Sequence, residues 1–376
     1  MLSFWEKTSF LNYDYIVIGG GIVGLSTAAA IKEKNKDVSV LVLERGIFPT
    51  GASTKNAGFA CFGSLTELLN DIAQLGKNGC YELVQERWSG LRKLRERIGD
   101  RNMDYQGEGG YELITEDQEH CLDSIEEVNG LLRPLFKNEV FINSPYLIGQ
   151  FGFAPEKIKT VVYNPFEGQI DSGKMMKALT GYVTSLGVEI ITGAEVVNIA
   201  EFQSDVSVMV KAPLHEEKIE FRAEMIAVCT NAFSDQLLTD LDLAPGRGLV
   251  LATQPIENLR IKGSFHFDEG FYYFRNFNDR IIFGGGRNMA LADETTSEFE
   301  VNEMILQQLE KLLSELIIPG REYEIDTVWA GIMAFGEEKR PILKMHSNRI
   351  AVGVRLGGMG VAIGSQLGEK LADMIV

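Results

Sequence analysis

The chain has 376 residues but only four cysteines, Cys61, Cys80, Cys121 and Cys229, far apart and with no CxxC pair. That excludes a disulfide scaffold and a zinc ribbon, and predicts reduced thiols in the cytoplasm. Histidine is as scarce. His120, His215, His266 and His346 show no metal-ligand spacing, so no metal is expected and each reads as a surface or hydrogen-bonded polar residue. Basic residues are outnumbered, 36 against 53 acidic, and the net charge of −17 argues against nucleic acid or an anionic membrane as partner. Residues Met1 to Asn12 lack the apolar run of a signal peptide. The longest apolar stretch, Tyr15 to Ile31, is broken by three consecutive glycines and does not read as a membrane span. Repeats and linkers are missing too. A chain this long suits two domains, so they must interleave.

What is present in excess is glycine, 39 residues. Tyr15-Ile16-Val17-Ile18 reads as a buried parallel strand, Ile22 to Lys34 as a helix with small residues, and Val38 to Leu43 as a second strand. Gly19-x-Gly21-x-x-Gly24 sits between the first strand and the helix, the dinucleotide fingerprint. Gly19 permits the tight turn, Gly21 clears room for a pyrophosphate, and Gly24 lets helix and strand touch. The N–H groups of Ile22 and Val23 then start the helix, whose dipole favours an anion. Glu44, ending the second strand, can accept two hydrogen bonds from a ribose diol, with Arg45 next to it. This pattern supports a dinucleotide without separating FAD from NAD.

Further on, helical periodicity is expected from Leu65 to about Glu126, from Met175 to Leu186, and from Val301 to Leu316. Strands are expected at 188–191 and 196–199, as a meander at 206–210, 218–221 and 225–229, and in a second sheet at 248–255, 270–275 and 280–284. The chain closes with strand Ile350 to Val354, the turn Arg355-Leu356-Gly357-Gly358-Met359-Gly360, and a helix from Val361 to Ile375. A glycine-rich turn into a helix presents backbone donors and positive potential, suited to an electron-rich ring edge.

Gly51-Ala52-Ser53-Thr54-Lys55-Asn56-Ala57-Gly58, followed by Phe59, resembles the post-Rossmann loop of the D-amino-acid-oxidase-like family of FAD-dependent oxidoreductases. The family includes glycine oxidase, sarcosine oxidase and γ-glutamylputrescine oxidase, and Lys55 replaces its usual arginine. Leu2-Ser3-Phe4-Trp5 is similar to the aromatic arm of the putrescine-type oxidases. Gly193-Ala194-Glu195-Val196, Cys229-Thr230-Asn231-Ala232, Tyr272-Tyr273-Phe274-Arg275 and Trp329-Ala330-Gly331 follow in family order, so the resemblance spans nearly the whole chain.

The resemblance implies an α/β fold in which a Rossmann-like FAD domain interleaves with an α+β substrate domain having a mostly antiparallel sheet. The expected segments are 1–75, 150–234 and 322–376 for FAD, and 76–149 and 235–321 for substrate. It implies hydride transfer from a small amine or amino acid to flavin N5, giving an imine that hydrolyses. FAD contacts are implied for the glycine turn, Glu44, the 51–58 loop, Val196, Thr230 to Ala232, Gly331 and the stretch Gly357 to Val361.

The family's carboxylate-binding arginine is replaced by Met333, and a second one corresponds roughly to Gly358. Both departures weaken a free α-amino acid as substrate. Arg355 and Arg340 are the candidate replacements, and Tyr272 stands where the family often places a substrate-contacting tyrosine. Period-two alternation puts Tyr272 and Phe274 on one sheet face, Tyr273 and Arg275 on the other. Cys61 is not at the position of the sarcosine oxidase flavin link, so dissociable FAD is expected. The alternatives are a 2-hydroxy-acid dehydrogenase, a flavin-binding protein without turnover, and a nicotinamide enzyme. The electron acceptor, oxygen or another, is not set by these residues.

Overall fold

The computed structural model describes residues 2–211 and 218–376; His215 falls outside them. Two eight-stranded sheets organise the described residues. The first has a parallel centre in the order Ile350–Val354, Ile219–Val228, Asn12–Ile18, Val40–Glu44 and Glu189–Thr192. Its strands are apolar runs because both faces are covered: every residue of Val40–Glu44 and of Ile350–Val354 is buried. Strand Ile342–Met345 adds antiparallel at one edge, and Val196–Glu201 with Val206–Val210 pair onto the first half of Ile219–Val228. From Asn12–Ile18 the chain leaves to one side through Val40–Glu44 and later returns on the other through Ile219–Val228. This is the switch point beside which open α/β sheets bind ligands.

Helix Ile22–Lys34 and the C-terminal helix Gly360–Ile375 lie together on one face of this sheet. They are flush because small residues face each other. A Cβ on Gly368 would meet Thr27 N and Val23 O at 2.8 Å, and the hydroxyls of Ser26 and Ser365 are 3.2 Å apart. The long helix Leu65–Ile98 crosses the C-terminal helix at Gly90, where a side chain would run into the Ala362 carbonyl. Two chain ends far apart in sequence are thereby held side by side.

The second sheet runs in the order 325–335, 244–253, 280–285, 272–277, 264–267, 110–114, 160–164 and 142–143, antiparallel except between Ser264–Phe267 and Gly110–Ile114. One face packs an aromatic core around Phe265, Phe274 and Phe283, the first two rings stacked at 4.6 Å. The other face looks toward the first sheet's ligand end.

Two expectations of secondary structure need correction. Helical structure from residue 65 stops at Ile98, and Gly110–Ile114 is a strand. The pair 218–221 and 225–229 is one strand, Ile219–Val228, continuous because different partners take its two halves. Strands Thr160–Asn164 and Ile325–Phe335, placed by sequence in cofactor segments, hydrogen-bond into the second sheet. Ile325–Phe335 mixes polar, aromatic and small residues, so only its ten-residue neighbour Ala244–Thr253 identifies it as a strand.

Arg275 ties the second sheet to the segments flanking the small ladder of Phe59–Ala60 with Gly168–Gln169. Its guanidinium donates to the carbonyls of Gly58 (2.8 Å) and Ile170, and burial pulls its pKa down to about 10. Arg275→Met should lower stability by only about 1–2 kcal/mol, because the lost hydrogen bonds are partly offset by the relieved desolvation of a buried cation. Urea unfolding would measure it; no change at all would mean the cross-link is idle.

Candidate active site

Between the two sheets lies a cavity of about 630 Å³. One end is built by the turn after the first strand. Gly19 has φ +109°, a conformation side chains disfavour, and a Cβ there would sit 2.8 Å from the Cys229 carbonyl. Gly21, Ile22 and Val23 line the cavity, and the Ile22 N–H donates to Ser53 Oγ at 3.0 Å. Gly24 does not line it: a Cβ there would overlap the Gly19 carbonyl, so its role is helix-on-strand contact. Glu44 is buried and aimed by the Gly20 N–H (2.9 Å) and the Gly46 N–H (2.8 Å). Arg45 stacks over Phe233 at 3.9 Å, near Val196, Thr230 and Asn231 in the same wall.

The 51–58 loop crosses the middle. Ala52, Ser53, Asn56, Ala57 and Phe59 line the cavity. Thr54 turns inward to the Pro49 carbonyl (2.7 Å), and Gly58, at φ +80°, is pressed between Ile170 and Arg275. Neither lines the cavity, nor does Ala232, which is buried under the second sheet's edge strand. Gly331 backs the loop, with Trp329 Nε1 donating to the Lys55 carbonyl at 2.9 Å.

The other end is closed by Gly357, Gly358, Met359, Gly360 and Val361. Here lies the structural test of whether a dinucleotide fits. Helices Leu65–Ile98, Ser172–Ser185 and Glu303–Leu312 start under side-chain caps from Ser64, Asp171 and Asn302. Two helices that start at this cavity, at Gly21 and Met359, have no cap from the side chain of their own N-cap residue, although Ser53 Oγ accepts the Ile22 N–H. Their remaining N–H groups and positive dipole ends suit a ligand with an anionic centre and a second electron-rich edge. A carboxylate placed to take a ribose completes the set, so these residues fit FAD.

The second sheet supplies the roof. Gly246, Gly248, Met333 and Phe335 share one face, with Met333 Cε 2.8 Å from where a Gly248 Cβ would lie. Tyr273 is on this face, its ring across Gly284, and burial pushes its hydroxyl up to about 12. Tyr272 is not: it is buried in the aromatic core, stacked on Phe267 at 5.0 Å, because alternation along the strand turns it away. Of the two, Tyr273 lines the cavity and Tyr272 does not.

Arg355 does line the cavity, but its guanidinium is taken by the Asp242 carboxylate and by the carbonyls of Asp242 (3.0 Å) and Arg340 (2.8 Å). It also holds a left-handed backbone, φ +64°, pinned by Asn231 Oδ1 at 3.1 Å. Its part is to shape the turn. Arg340 pairs with exposed Glu82 and stays outside the cavity wall.

Composition and motifs missed a polar cluster where Leu65–Ile98 begins. Buried Asp71 joins Lys339 (2.6 Å) to Arg87 (3.3 Å), and Asn70 bonds Glu269 at 3.1 Å. His266 lines the cavity beside Phe59, not on the surface; its Nε2 lacks a partner among the described residues, and burial lowers its pKa. Glu67 and Glu167 stand 3.9 Å from its two nitrogens. No spacing rule joins residues 67, 71, 167, 266 and 339. The β-period from Phe274 was the one available signal for Tyr273.

Compared with known proteins, residues 14–374 match the family described as FAD dependent oxidoreductase, DAO. A Haemophilus influenzae protein described as "Probable oxidoreductase OrdL" is 22% identical over 98% of this chain and 84% of its own length. An L-2-hydroxyglutarate dehydrogenase of Escherichia coli is 25% identical over 62% of this chain, which spans 51% of that enzyme. Among solved structures, glycine oxidase from Geobacillus kaustophilus superposes with a TM-score of 0.76 at 19% identity, over 97% of this chain and 96% of that one. No described helix is long and apolar enough to cross a membrane.

Proposed function

Because this chain belongs to the DAO family of FAD dependent oxidoreductases, we propose that it holds one FAD without a covalent link and oxidises a small amine or amino acid. The observation that carries this reading is the pair of helix starts whose own N-cap residues give no side-chain cap, from opposite ends of the chain, lining one cavity. Gly21, Ile22 and Ser53 would take the pyrophosphate, Glu44 the ribose, and the N–H groups of Gly358, Gly360 and Val361 the flavin's carbonyl edge. When bound, FAD supplies the two-electron oxidation, taking a hydride from the carbon that bears the amine. The chain's part is to place that carbon and exclude water. Tyr273, Met333 and the glycine face of the second sheet cover the ring position. The Asn70–Glu269 and Lys339–Asp71 contacts close one end. Burial, with Glu167 and Glu67 nearby, keeps the Cys61 thiol well above its ordinary value, which supports a dissociable cofactor. Four free, buried cysteines accord with a reducing cytoplasm.

A second reading, oxidation of a 2-hydroxy acid, is favoured by His266. An alcohol must lose its hydroxyl proton, and a neutral imidazole at the cavity wall could accept it, whereas a neutral amine needs no base. Anaerobic mixing of FAD-loaded protein with amines, amino acids and 2-hydroxy acids decides. Bleaching of the flavin band by amines or amino acids is the expected result. Bleaching by hydroxy acids alone would move the assignment to the second reading, and spectral shifts with no bleaching would indicate binding without turnover.

A further inference from the structure

The face of the second sheet that meets the cavity is short of side chains at its centre. Register aligns Gly331 with Gly248, Met333 with Gly246, and Gly284 with both Val250 and Tyr273, so four glycines share this face. Glycine weakens a strand interior, and none of the four has a positive φ, so backbone conformation does not require it. Space does. The Tyr273 ring lies over Gly284, 2.7 Å from where a Cβ would be, and the Phe335 ring lies over Gly246. Met333 Cε reaches over Gly248, while Gly248 and Gly331 themselves line the cavity. The result is a depression with backbone for its floor and Tyr273, Met333 and Phe335, all half-buried, for its rim.

Two rings and a thioether make that rim apolar. Polar atoms stand at its edges: the Tyr273 hydroxyl, 3.9 Å from where a Gly248 Cβ would lie, and the Arg287 guanidinium, stacked on the Phe335 ring at 4.0 Å. Met333 Sδ lies 3.7 Å from where a Gly358 Cβ would be, at the turn assigned to the flavin's carbonyl edge. The depression therefore adjoins the ring position. We propose that it is the specificity pocket of the site and takes an unbranched alkyl chain attached to the reacting carbon of the substrate. The inference rests on reading the cavity as a flavin and substrate site. Each methylene removed from water there strengthens binding about fourfold. Met333, flexible and unbranched, sets how long a chain fits. The substrate class narrows to amines with an aliphatic tail.

FAD-loaded protein, reduced and kept free of oxygen, can bind amines but cannot oxidise them, so affinity is read apart from turnover. Calorimetric titration of that form with the n-alkylamines from ethylamine to hexylamine tests the proposal. In the wild type, affinity should rise about fourfold per added methylene and then level off as the depression fills. Gly248→Ala is the discriminating variant. Its Cβ would lie 2.8 Å from Met333 Cε and in ordinary contact with Tyr273, so only a flexible side-chain end is displaced, into the depression. Hexylamine should then weaken roughly 15- to 60-fold, the equivalent of two to three methylenes, with ethylamine changed by less than about twofold. Met333→Ala should do the reverse, letting the rise continue to octylamine, because truncation deepens the pocket. A flat series in the wild type, or the wild-type series in both variants, would overturn the proposal. Amine turnover is judged separately, by bleaching of the oxidised flavin. A protein that shows the methylene series yet bleaches with no amine would keep this pocket and lose the proposed function.

Discussion

Protein carrying Gly24→Ala should purify almost without flavin. A Cβ at residue 24 would overlap the Gly19 carbonyl oxygen and approach Val17 Cγ1 to 3.2 Å. Both neighbours are main chain or buried core, so relief requires helix Ile22–Lys34 to move off the strand. That movement shifts the N–H groups of residues 22 and 23, and it also disturbs Gly368, which packs against Val23 and Thr27. Overpacking of this kind costs about 1–3 kcal/mol or more, and the same free energy taken from cofactor binding weakens it about 10- to 100-fold. The ratio of flavin to protein absorbance after gel filtration reads the effect. Gly181→Ala is the control. It sits exposed in helix Ser172–Ser185 with nothing within 4 Å of the new Cβ, and should keep full flavin. Stoichiometric FAD in Gly24→Ala would refute the close-contact account of the fingerprint.

Stability should fall as pH rises from about 6.5 to 8. Glu167 and Glu112 are buried where the helix Leu65–Ile98 begins, and desolvation raises their pKa to about 8 and about 7. Glu167 accepts the N–H groups of Phe62 (3.1 Å) and Gly63 (3.3 Å), while Glu112 takes the hydroxyl of Thr66. Around Glu167 stand Glu67, Glu112 and the uncharged His266. A carboxyl whose pKa is higher folded than unfolded binds more protons in the native state. Its stabilisation is complete below the unfolded pKa and is lost as pH climbs through the folded one. His266, with a lowered pKa, works in the opposite direction but only below its ordinary value near 6.5, so the carboxyls act alone above it. Over this window the loss is on the order of 2 kcal/mol, most of it from Glu167. Thermal unfolding at several pH values measures the slope. Glu167→Gln should flatten it and raise Tm at pH 8, and an unchanged slope in that variant would exclude Glu167 as its source.

The two predictions differ in how much of their basis could be read before the fold was known. Gly24 stands in a spacing rule with a strand before it and a helix after, and local backbone chemistry carries the argument. Glu167, Glu112 and His266 belong to no motif. Glu112 and His266 are register partners on the parallel strands 110–114 and 264–267, and Glu167 reaches Gly110 of the same strand from the turn after 160–164. Tyr272 shows the same boundary within a single dipeptide: alternation separates it correctly from Tyr273, but only the packed sheet says which face meets the cavity.

Residue order alone determined the dinucleotide turn, the acidic end of the second strand, the glycine entry to the last helix, and the mixed α/β class. Each depends on contacts within about thirty residues, where periodicity and φ preference operate. Tertiary packing decided the rest. Gly364 and Gly368 let the last helix lie against helix Ile22–Lys34, which brings two helix starts to one cavity. Pairing of 244–253 with 325–335 then sets Met333 opposite Gly246 and on the cavity wall. Neither arrangement is encoded in any short stretch, because each is a close approach of backbones that becomes favourable only when both partners are already folded.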